Sequence, residues 1–474
     1  MAAAFHPPLP MPALPRLHRR LALLAALLAT LLAAPGAAAA EPAYVPGAVV
    51  VGYAPSAAAP AYQQAVAASV GASLGATADA RTRVLHVKSG TVGATIAKLR
   101  RTPGVAYAVP DPIAHADAAP LPDDPGIKGF PGGLAALQWN FYGPWGVDAL
   151  DAWGNVQGRA PGARGVRIAV LDTGIAYRDL GRFRRSPDFA GTRFVAPYDF
   201  VDNTPYPVDR NGHGTHVAGT IAEATDNGLG VTGLAWGATI MPVRVLDSRG
   251  YGDASTIAKG IRYAVRHGAR VINMSLEFST SVSASEIPDI TSALRYASQH
   301  GVVVVGSSGN EGEARIAYPA RTSNVISVGA TTDDGCLADF SNDGVGLDLV
   351  APGGGDDAAL ANDPNCHPGR HGADIYQMTY TGSVSRFGLP SGYDGTSMAA
   401  PHVTATAALV IASGVLGARP TPGQVECRLK QTARALGIRG PNRVYGYGLV
   451  DAGAATSASV QTPTCLTAAA RAQR

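Results

Sequence analysis

The chain has 474 residues, which corresponds to about three units of roughly 150 residues each. It is 46% hydrophobic and only 15% charged, and this composition excludes a globally disordered protein. Its 38 basic and 35 acidic residues give a formal charge of +3, which argues against nucleic acid as the main partner. Four cysteines are too few for a disulfide scaffold, but they suffice for two bridges in an oxidising compartment.

The N-terminal segment, residues 1–40, has the pattern of a secretory signal peptide. Basic side chains cluster at residues 16–20, an apolar run follows over residues 21–34, and three alanines at residues 38–40 precede Glu41. The alternative is a membrane anchor, but the run is shorter than the ~20 residues that span a bilayer. We therefore expect a soluble, exported protein that has no contact with a membrane after the signal is removed.

Residues 41–116 predict a small separate domain of β-α-β-α-β type. Strands are expected at residues 46–53, 83–87 and 105–109, and Ala-rich or amphipathic helices at residues 62–70 and 95–101. Residues 114–127 are rich in Ala, Pro and Asp, a composition typical of an exposed linker open to proteolysis.

From Gln138 onward, short apolar runs alternate with helical patterns. Because their hydrophobicity is continuous, the strands should be buried on both faces. The chain therefore predicts an α/β fold with a mostly parallel, doubly wound sheet. Strands are expected at residues 166–172, 239–247, 271–276, 302–306, 325–330 and 347–351, and helices at 213–223, 254–267, 285–299 and 397–413.

Two short motifs supply an acid and a base. Asp172 ends a predicted strand in the sequence VLDTG, at the sheet edge where ligands gather. An aspartic protease would need a second such motif, and the chain has none. His213 and His216 lie in NGHGTHVAGT; a zinc site would need a third ligand, and the H-E-x-x-H spacing is absent. Glycines on both sides of His213 allow another segment to approach closely.

Two further motifs supply a nucleophile and an oxyanion donor. Ser397, in YDGTSMAAPHV, opens a long apolar helix, whose N-terminal N–H groups and dipole stabilise negative charge. By itself a serine at this place is an ordinary N-cap. Asn310, in SSGNEG, offers a side-chain amide on a glycine-rich loop, where a turn asparagine is the simpler interpretation.

Taken together and in this order, the four motifs closely resemble those of the subtilisin-like serine proteases, the subtilases. The resemblance covers residues 138–455 and includes the sequence GYGLVDA at residues 446–452. It implies a subtilisin-type sheet and the chain order Asp, His, Ser. A serine esterase on another α/β fold would need G-x-S-x-G around Ser397, and the chain has G-T-S-M-A there.

The resemblance assigns a role to each motif residue. Ser397 is the nucleophile, His213 is the general base, and Asp172 orients His213 and stabilises the imidazolium. Asn310 and the backbone N–H of Ser397 form the oxyanion hole. His216 matches a histidine that is structural in the family.

The resemblance also implies a groove for an extended peptide, with backbone pairing that tolerates many sequences. One edge strand would include Gly250 and Gly252. The pocket for the residue before the cut would lie between two walls, formed by Ser275, Leu276 and Glu277 on one side and Ser307, Ser308 and Gly309 on the other. Glu277 stands where the family usually has glycine, and we expect its carboxylate to favour basic or polar side chains.

Catalysis in this family implies no cofactor, and the only candidate metal is a structural calcium ion. Asp179 and the loop at residues 227–231 resemble ligands of such a site. An insertion appears at residues 353–386. Four cysteines allow three pairings; proximity favours Cys336 with Cys366 and Cys427 with Cys465.

The predicted organisation is a signal peptide (residues 1–40), a prodomain (41–116), a catalytic domain (117–455) and a C-terminal tail (456–474). Residues 41–116 resemble the prodomain of secreted subtilases, which implies an intramolecular inhibitor and folding helper that is removed by self-cleavage, expected here at residues 114–122. A folding helper suits a parallel sheet, because such sheets fold slowly. The predicted function is that of a secreted, monomeric serine endopeptidase acting on proteins or peptides. The alternative, an inactive subtilase-like binding module, would have replaced triad or oxyanion residues, and none is replaced.

Overall fold

The computed structural model describes residues 44–112, 122–127, 130–437 and 441–460. The predicted signal peptide, most of the expected self-cleavage segment and most of the predicted tail lie outside these residues. The chain divides into two compact units, Met1–Asp117 and Ala118–Arg474.

The first unit is a four-stranded antiparallel sheet with two helices. Its elements are β1 (Tyr44–Tyr53), α1 (Pro60–Ser69), β2 (Ser73–Asp79), β3 (Thr82–His86), α2 (Val92–Leu99) and β4 (Val105–Pro112). The strand order is β2-β3-β1-β4, and Val49, Leu85 and Leu99 are fully buried in its core. The predicted pattern is therefore extended by one strand, β2.

The second unit is built around a parallel sheet. The strands of this unit are β5 (Gly126–Ile127), β6 (Phe130–Pro131), β7 (Arg167–Asp172), β8 (Arg193–Phe194), β9 (Tyr198–Asp199), β10 (Thr239–Arg244), β11 (Val271–Met274), β12 (Val303–Ser307), β13 (Ile326–Thr331), β14 (Leu349–Pro352), β15 (Thr379–Tyr380) and β16 (Phe387–Gly388). Eight of them form one sheet in the order β14-β13-β12-β11-β7-β10-β8, with β9 also pairing with β10. Every pairing in this sheet is parallel, as predicted.

Helices cover both faces of this sheet. They are α3 (Gly133–Leu137), α4 (Trp139–Tyr142), α5 (Ala149–Gln157), α6 (His213–Ala222), α7 (Ala254–Arg266), α8 (Pro288–Gln299), α9 (Thr396–Ser413), α10 (Pro422–Thr432) and α11 (Ala452–Thr456). Successive strand residues point to opposite faces: Val170 joins the core that contains α6 and α9, whereas Leu171 joins the core that contains α7 and α8. Helix α9 is buried almost all round, as expected for a helix with no polar face.

A disulfide bond joins Cys336 and Cys366, as predicted, and ties residues 353–386, the predicted insertion, to the loop after β13. Cys427 on α10 is also disulfide-bonded. Its predicted partner, Cys465, lies outside the described residues. Among the helices of the described residues, none is both long enough and apolar enough to cross a membrane.

Candidate active site

Asp172 is the last residue of the central strand β7, so its side chain stands at the carboxyl edge of the parallel sheet. It is 1% exposed. Its Oδ1 accepts a hydrogen bond from the Thr173 backbone N–H at 2.7 Å and lies 2.7 Å from Nδ1 of His213. A buried carboxylate in this position fixes the imidazole ring and favours its protonated form.

His213 is the first residue of helix α6, and glycines on either side let this helix approach β7. Gly212 caps the helix with a φ of 115°, a conformation that favours glycine. A Cβ on Gly214 would lie 2.2 Å from the carbonyl oxygen of Gly174 and 3.0 Å from Oδ1 of Asp172. The two glycines are therefore needed for the contact between His213 and Asp172.

The electrostatic surroundings of His213 prepare it to take up a proton. Burial disfavours the imidazolium, but the charge and hydrogen bond of Asp172, together with the charge of Asp209, outweigh burial and raise the pKa of His213 above its usual value. The side chain is still 26% exposed, so its outer edge is open to a substrate.

Asp209 was not predicted from the sequence, yet it organises the surroundings of both acid and base. It is fully buried. Its Oδ1 accepts hydrogen bonds from the Thr173 hydroxyl (2.9 Å) and from the backbone N–H groups of Asn211 (2.9 Å) and Gly212 (3.0 Å). Its Oδ2 accepts from the backbone N–H (2.9 Å) and the hydroxyl (2.6 Å) of Thr215. One carboxylate thus ties the loop after Asp172 to the first turn of α6.

Ser397 is the second residue of α9 and lines the same groove as His213. Its Oγ lies 3.5 Å from the carbonyl oxygen of Ser275, and the backbone oxygen of Ser397 accepts a hydrogen bond from the Ser275 hydroxyl at 2.8 Å. At the N-terminal end of α9 the N–H groups of Thr396, Met398 and Ala399 are hydrogen-bonded, whereas that of Ser397 has no acceptor within the described residues.

Asn310 lies beside the start of α9, and its orientation is fixed by Thr396. The Oδ1 of Asn310 accepts hydrogen bonds from the backbone N–H (2.8 Å) and the hydroxyl (2.9 Å) of Thr396. Because the amide oxygen is occupied on that side, the amide NH₂ group is left to donate elsewhere. Thr396 is a second supporting residue that the motif alone did not identify.

The groove has a volume of about 460 Å³ and brings most of the predicted substrate-binding residues together with His213 and Ser397. Gly250, Gly252, Ser275, Leu276 and Glu277 all line it. The remaining lining residues are Thr173, Asn211, Leu246, Arg249, Tyr251, Ile257 and Phe278.

The second predicted wall, Ser307 to Gly309, is buried behind the groove and supports it. The Ser307 hydroxyl donates to the backbone oxygen of Leu276 at 3.3 Å. The Ser308 hydroxyl donates to the backbone oxygen of Asn342 at 2.8 Å, and the Gly309 N–H donates to the Thr396 hydroxyl at 3.3 Å. These bonds connect residues 275–277, which follow β11, with the Asn310 loop and the start of α9.

His216 is buried and packs inside the protein. Its ring stacks on Tyr393 with 4.1 Å between centroids, and its Nε2 donates to the backbone oxygen of Ile375 at 2.8 Å. Burial lowers the pKa of His216 to about 3, so this ring is neutral. These contacts match the structural role that the resemblance implies.

Residues 353–386, the predicted insertion, contribute a support that sequence reasoning missed. Besides accepting from His216, they contact the turn before α6: the Thr379 hydroxyl donates to the Gly212 backbone oxygen at 2.6 Å, and the Tyr380 hydroxyl donates to the Asp209 backbone oxygen at 3.2 Å. No short motif signals these contacts, because they join residues more than 160 positions apart in the chain.

The loop at residues 227–231, predicted to bind calcium with Asp179, has a different carboxylate partner. Asp188 accepts hydrogen bonds from the Asn227 side-chain amide (2.8 Å) and the Val231 N–H (3.0 Å), whereas Asp179 accepts from the Arg185 N–H. No hydrogen bond within the described residues joins Asp179 to this loop, and its part in a calcium site stays a prediction. N–H donors occupy the Asp188 oxygens. Within the described residues, no group of three acidic, histidine or cysteine side chains is placed to hold a metal ion. A structural calcium ion stays a prediction.

Comparisons with known proteins agree with this geometry. The family model described as the subtilase family matches residues 163–448, and the fervidolysin N-terminal prodomain model matches residues 33–111. Subtilisin Savinase from Lederbergia lenta is 39% identical over 315 residues, which cover 66% of this chain and 98% of the relative.

Two further comparisons extend over a similar share of the chain. A thermophilic serine proteinase from Bacillus sp. (strain AK1) is 36% identical over 77% of this chain and 76% of its own length. The solved structure of a protease from Pseudoalteromonas arctica matches with a TM-score of 0.55 and 30% identity, over 71% of this chain and 99% of that one.

Proposed function

The chain belongs to the subtilase family of serine proteases, and on that premise we propose that it is an exported endopeptidase that cleaves proteins through an acyl-enzyme on Ser397. One observation carries the proposal: the hydrogen-bonded pair of Asp172 and His213 shares a peptide-sized groove with Ser397. A serine becomes an activated nucleophile when a histidine can take up its hydroxyl proton and a buried aspartate orients that histidine.

In the proposed mechanism, Ser397 Oγ attacks the carbonyl carbon of the scissile bond while His213 Nε2 takes up the hydroxyl proton. Asp172, which holds Nδ1 of the same ring, stabilises the imidazolium that forms. His213 then gives the proton to the leaving amine, which departs and leaves an acyl ester on Ser397. Water, activated by His213 in the same way, hydrolyses the ester and restores the serine hydroxyl.

Negative charge on the carbonyl oxygen would be stabilised by the Asn310 amide and the Ser397 backbone N–H. Thr396 holds the Asn310 oxygen with two hydrogen bonds, so the donor is oriented before the reaction begins. Preorganised donors of this kind lower the barrier without a reorganisation cost. Subtilases need no cofactor for catalysis, and every step proposed here uses a group that belongs to the chain.

We further propose that the first unit is a prodomain that inhibits the protease until self-cleavage at residues 114–122 releases it. The match of residues 33–111 to a subtilase-associated prodomain supports this proposal. The basic, apolar and Ala-rich pattern of residues 1–40 supports export, and the mature enzyme is proposed to be a monomer acting on proteins or peptides.

A serine-directed covalent inhibitor tests the proposal. We expect it to abolish casein hydrolysis by the purified enzyme and to add its mass to a single peptide that contains Ser397. Sequencing of the mature N-terminus would locate the self-cleavage site.

The matched control is Ser397→Ala, which should take up no label and remain an uncut precursor. An enzyme whose casein hydrolysis survives complete labelling of Ser397, or a purified Ser397→Ala protein that matures normally, would contradict the proposal.

A further inference from the structure

Glu277 places a carboxyl group in the wall of the proposed substrate groove. It follows Ser275 and Leu276 in the segment after β11 that lines the groove, and it shares the groove with His213 and Ser397. Glu277 therefore presents its carboxyl group on the same groove as the proposed nucleophile.

The carboxyl of Glu277 is incompletely satisfied. Its Oε2 is buried and has no hydrogen-bond partner within the described residues, and no ion pair of the described residues involves Glu277. A buried acceptor without a donor is costly, so a ligand that brings one gains binding energy.

A second carboxylate, Glu311, adds negative charge near Glu277. Asn342 holds it in place, since the Asn342 amide donates to Oε2 of Glu311 at 2.5 Å. Burial, and then the nearby charge of Glu311, raise the pKa of Glu277 from its usual 4.5 to about 7. Burial and the charge of Glu311 make an unpaired Glu277 carboxylate unfavourable, and a cation bound beside Glu277 would relieve this cost.

We propose that Glu277, assisted by Glu311, makes this enzyme prefer lysine or arginine immediately before the cleaved bond. The proposal rests on the proposed function and names its substrate class. An ammonium or guanidinium group that enters the groove beside residues 275–277 would donate a hydrogen bond to the free oxygen of Glu277. Its positive charge would offset the negative charges of Glu277 and Glu311.

The preference should strengthen with pH, because the Glu277 carboxyl loses its proton near pH 7. The other charged or titratable side chains that line the groove are His213, Arg249 and Tyr251, and Arg249 is already paired with Asp247 through an Nη2–Oδ2 distance of 3.3 Å. Glu311 acts on Glu277 through its nearby charge. Titration of His213 changes the turnover of all substrates alike, so it cancels when two substrates are compared as a ratio.

Self-cleavage does not require a basic residue under this proposal. Residues 114–122 contain neither lysine nor arginine, but a tethered segment reaches the site at a high effective concentration and tolerates a poor side chain. The preference must therefore be measured on the mature enzyme with free peptides.

The test uses peptide pairs that differ only in the residue before the cut: arginine against its neutral isostere citrulline, and lysine against norleucine. For the wild-type enzyme at pH 8.5 we expect kcat/KM to favour the basic member about tenfold, the size typical of a partly buried charge pair. The ratio should fall as the pH is lowered below 7.

Glu277→Gln keeps the shape of the side chain and should bring the ratio close to one at every pH. Glu277→Gly should do the same, Glu311→Gln should lower the ratio partly, and Asp289→Asn, an exposed charge removed from α8, should leave it unchanged. Casein hydrolysis shows whether each variant is folded and active.

Two results overturn the proposal and are distinguishable from each other. If casein is cleaved but Glu277→Gln leaves the ratio at the wild-type value, the specificity inference is wrong and the proposed function stands. If neither casein nor any peptide is cleaved by the mature wild-type enzyme, the proposed function itself is wrong, and the inference fails with it.

Discussion

At the scale of single residues, the site depends on a carboxylate that does not touch the reacting atoms. Asp209 accepts five hydrogen bonds, which fix the hydroxyl of Thr173 on one side and the first turn of α6 on the other. Its charge also contributes to the raised pKa of His213. Asp209 is thus a positioning residue with an electrostatic effect that can be measured separately.

We predict that Asp209→Asn lowers kcat about 10- to 100-fold, because the His213 ring loses its fixed geometry relative to Ser397. Removal of the negative charge also lowers the pKa of His213. The enzyme needs neutral His213, so the acidic limb of the pH dependence of kcat/KM should move to lower pH. Activity of the purified variant on one peptide from pH 5 to 9 measures both effects.

The control is the surface variant Asp289→Asn, which removes one exposed charge from α8 and should leave the pH dependence of kcat/KM unchanged. A variant of Asp209 that loses activity while its acidic limb stays unmoved would indicate a purely structural role. Thermal unfolding of the same samples separates that case from misfolding.

At the scale of elements, the sequence predicts best those strands that are continuous apolar runs. All six predicted strands of the parallel sheet exist and end within three residues of the expected positions, because burial on both faces leaves an unbroken signal. The expected helix at residues 285–299 begins three residues late, at Pro288, a residue well suited to the first turn. Strand β2 was missed because its residues are mostly exposed or partly exposed and rich in Ala and Gly.

The site shows the same division between local and distant information. Motifs identify Asp172, His213, Ser397 and Asn310 as candidates, since each is marked by its immediate neighbours in the chain. They do not identify Asp209 or the contacts of Thr379, whose importance arises only when the fold brings distant segments together.

The disulfide gives a prediction at this scale. The bond between Cys336 and Cys366 closes a loop of 30 residues, and the entropy of loop closure corresponds to a stabilisation of about 3–4 kcal/mol. We expect the double variant Cys336→Ala, Cys366→Ala to lose about that much free energy of unfolding. Urea unfolding of the covalently inhibited mature enzyme, which prevents autolysis, measures it.

The single variants are not suitable controls because each leaves a free thiol. Reductant also breaks the disulfide bond of Cys427, so the wild type and the double variant are both measured in reductant, where they should be equally stable. Equal urea midpoints for the double variant and the untreated wild type would contradict the prediction. They would show that other contacts hold residues 353–386 in place and that the bond adds no stability.

At the scale of the whole molecule, three acidic groups from distant parts of the second unit have raised pKa values. Glu223, at the end of α6, is fully buried, and burial followed by the charges of Asp188 and Asp124 raises its pKa well above the usual value. Burial raises the pKa of Asp188 to about 7, and that of Asp124 is also raised. The folded protein therefore binds protons that the unfolded chain has released by pH 6.

The consequence is that stability falls as the pH rises. A carboxyl group whose pKa is higher in the folded state stabilises the fold at low pH, and this contribution disappears once the pH exceeds the folded-state pKa. For Asp188 the free energy of unfolding lost between pH 4 and pH 8 amounts to about 4 kcal/mol.

Glu223→Gln mimics the protonated acid, so its free energy of unfolding should match that of the wild type at pH 5 and exceed it at pH 8. Urea midpoints of the inhibited mature enzyme, in buffer with a chelator, test this. Because the Met378 N–H bonds to Oε1 of Glu223, an oxygen that glutamine retains, a variant with the wild-type pH slope would mean that Glu223 is ionised in the folded protein.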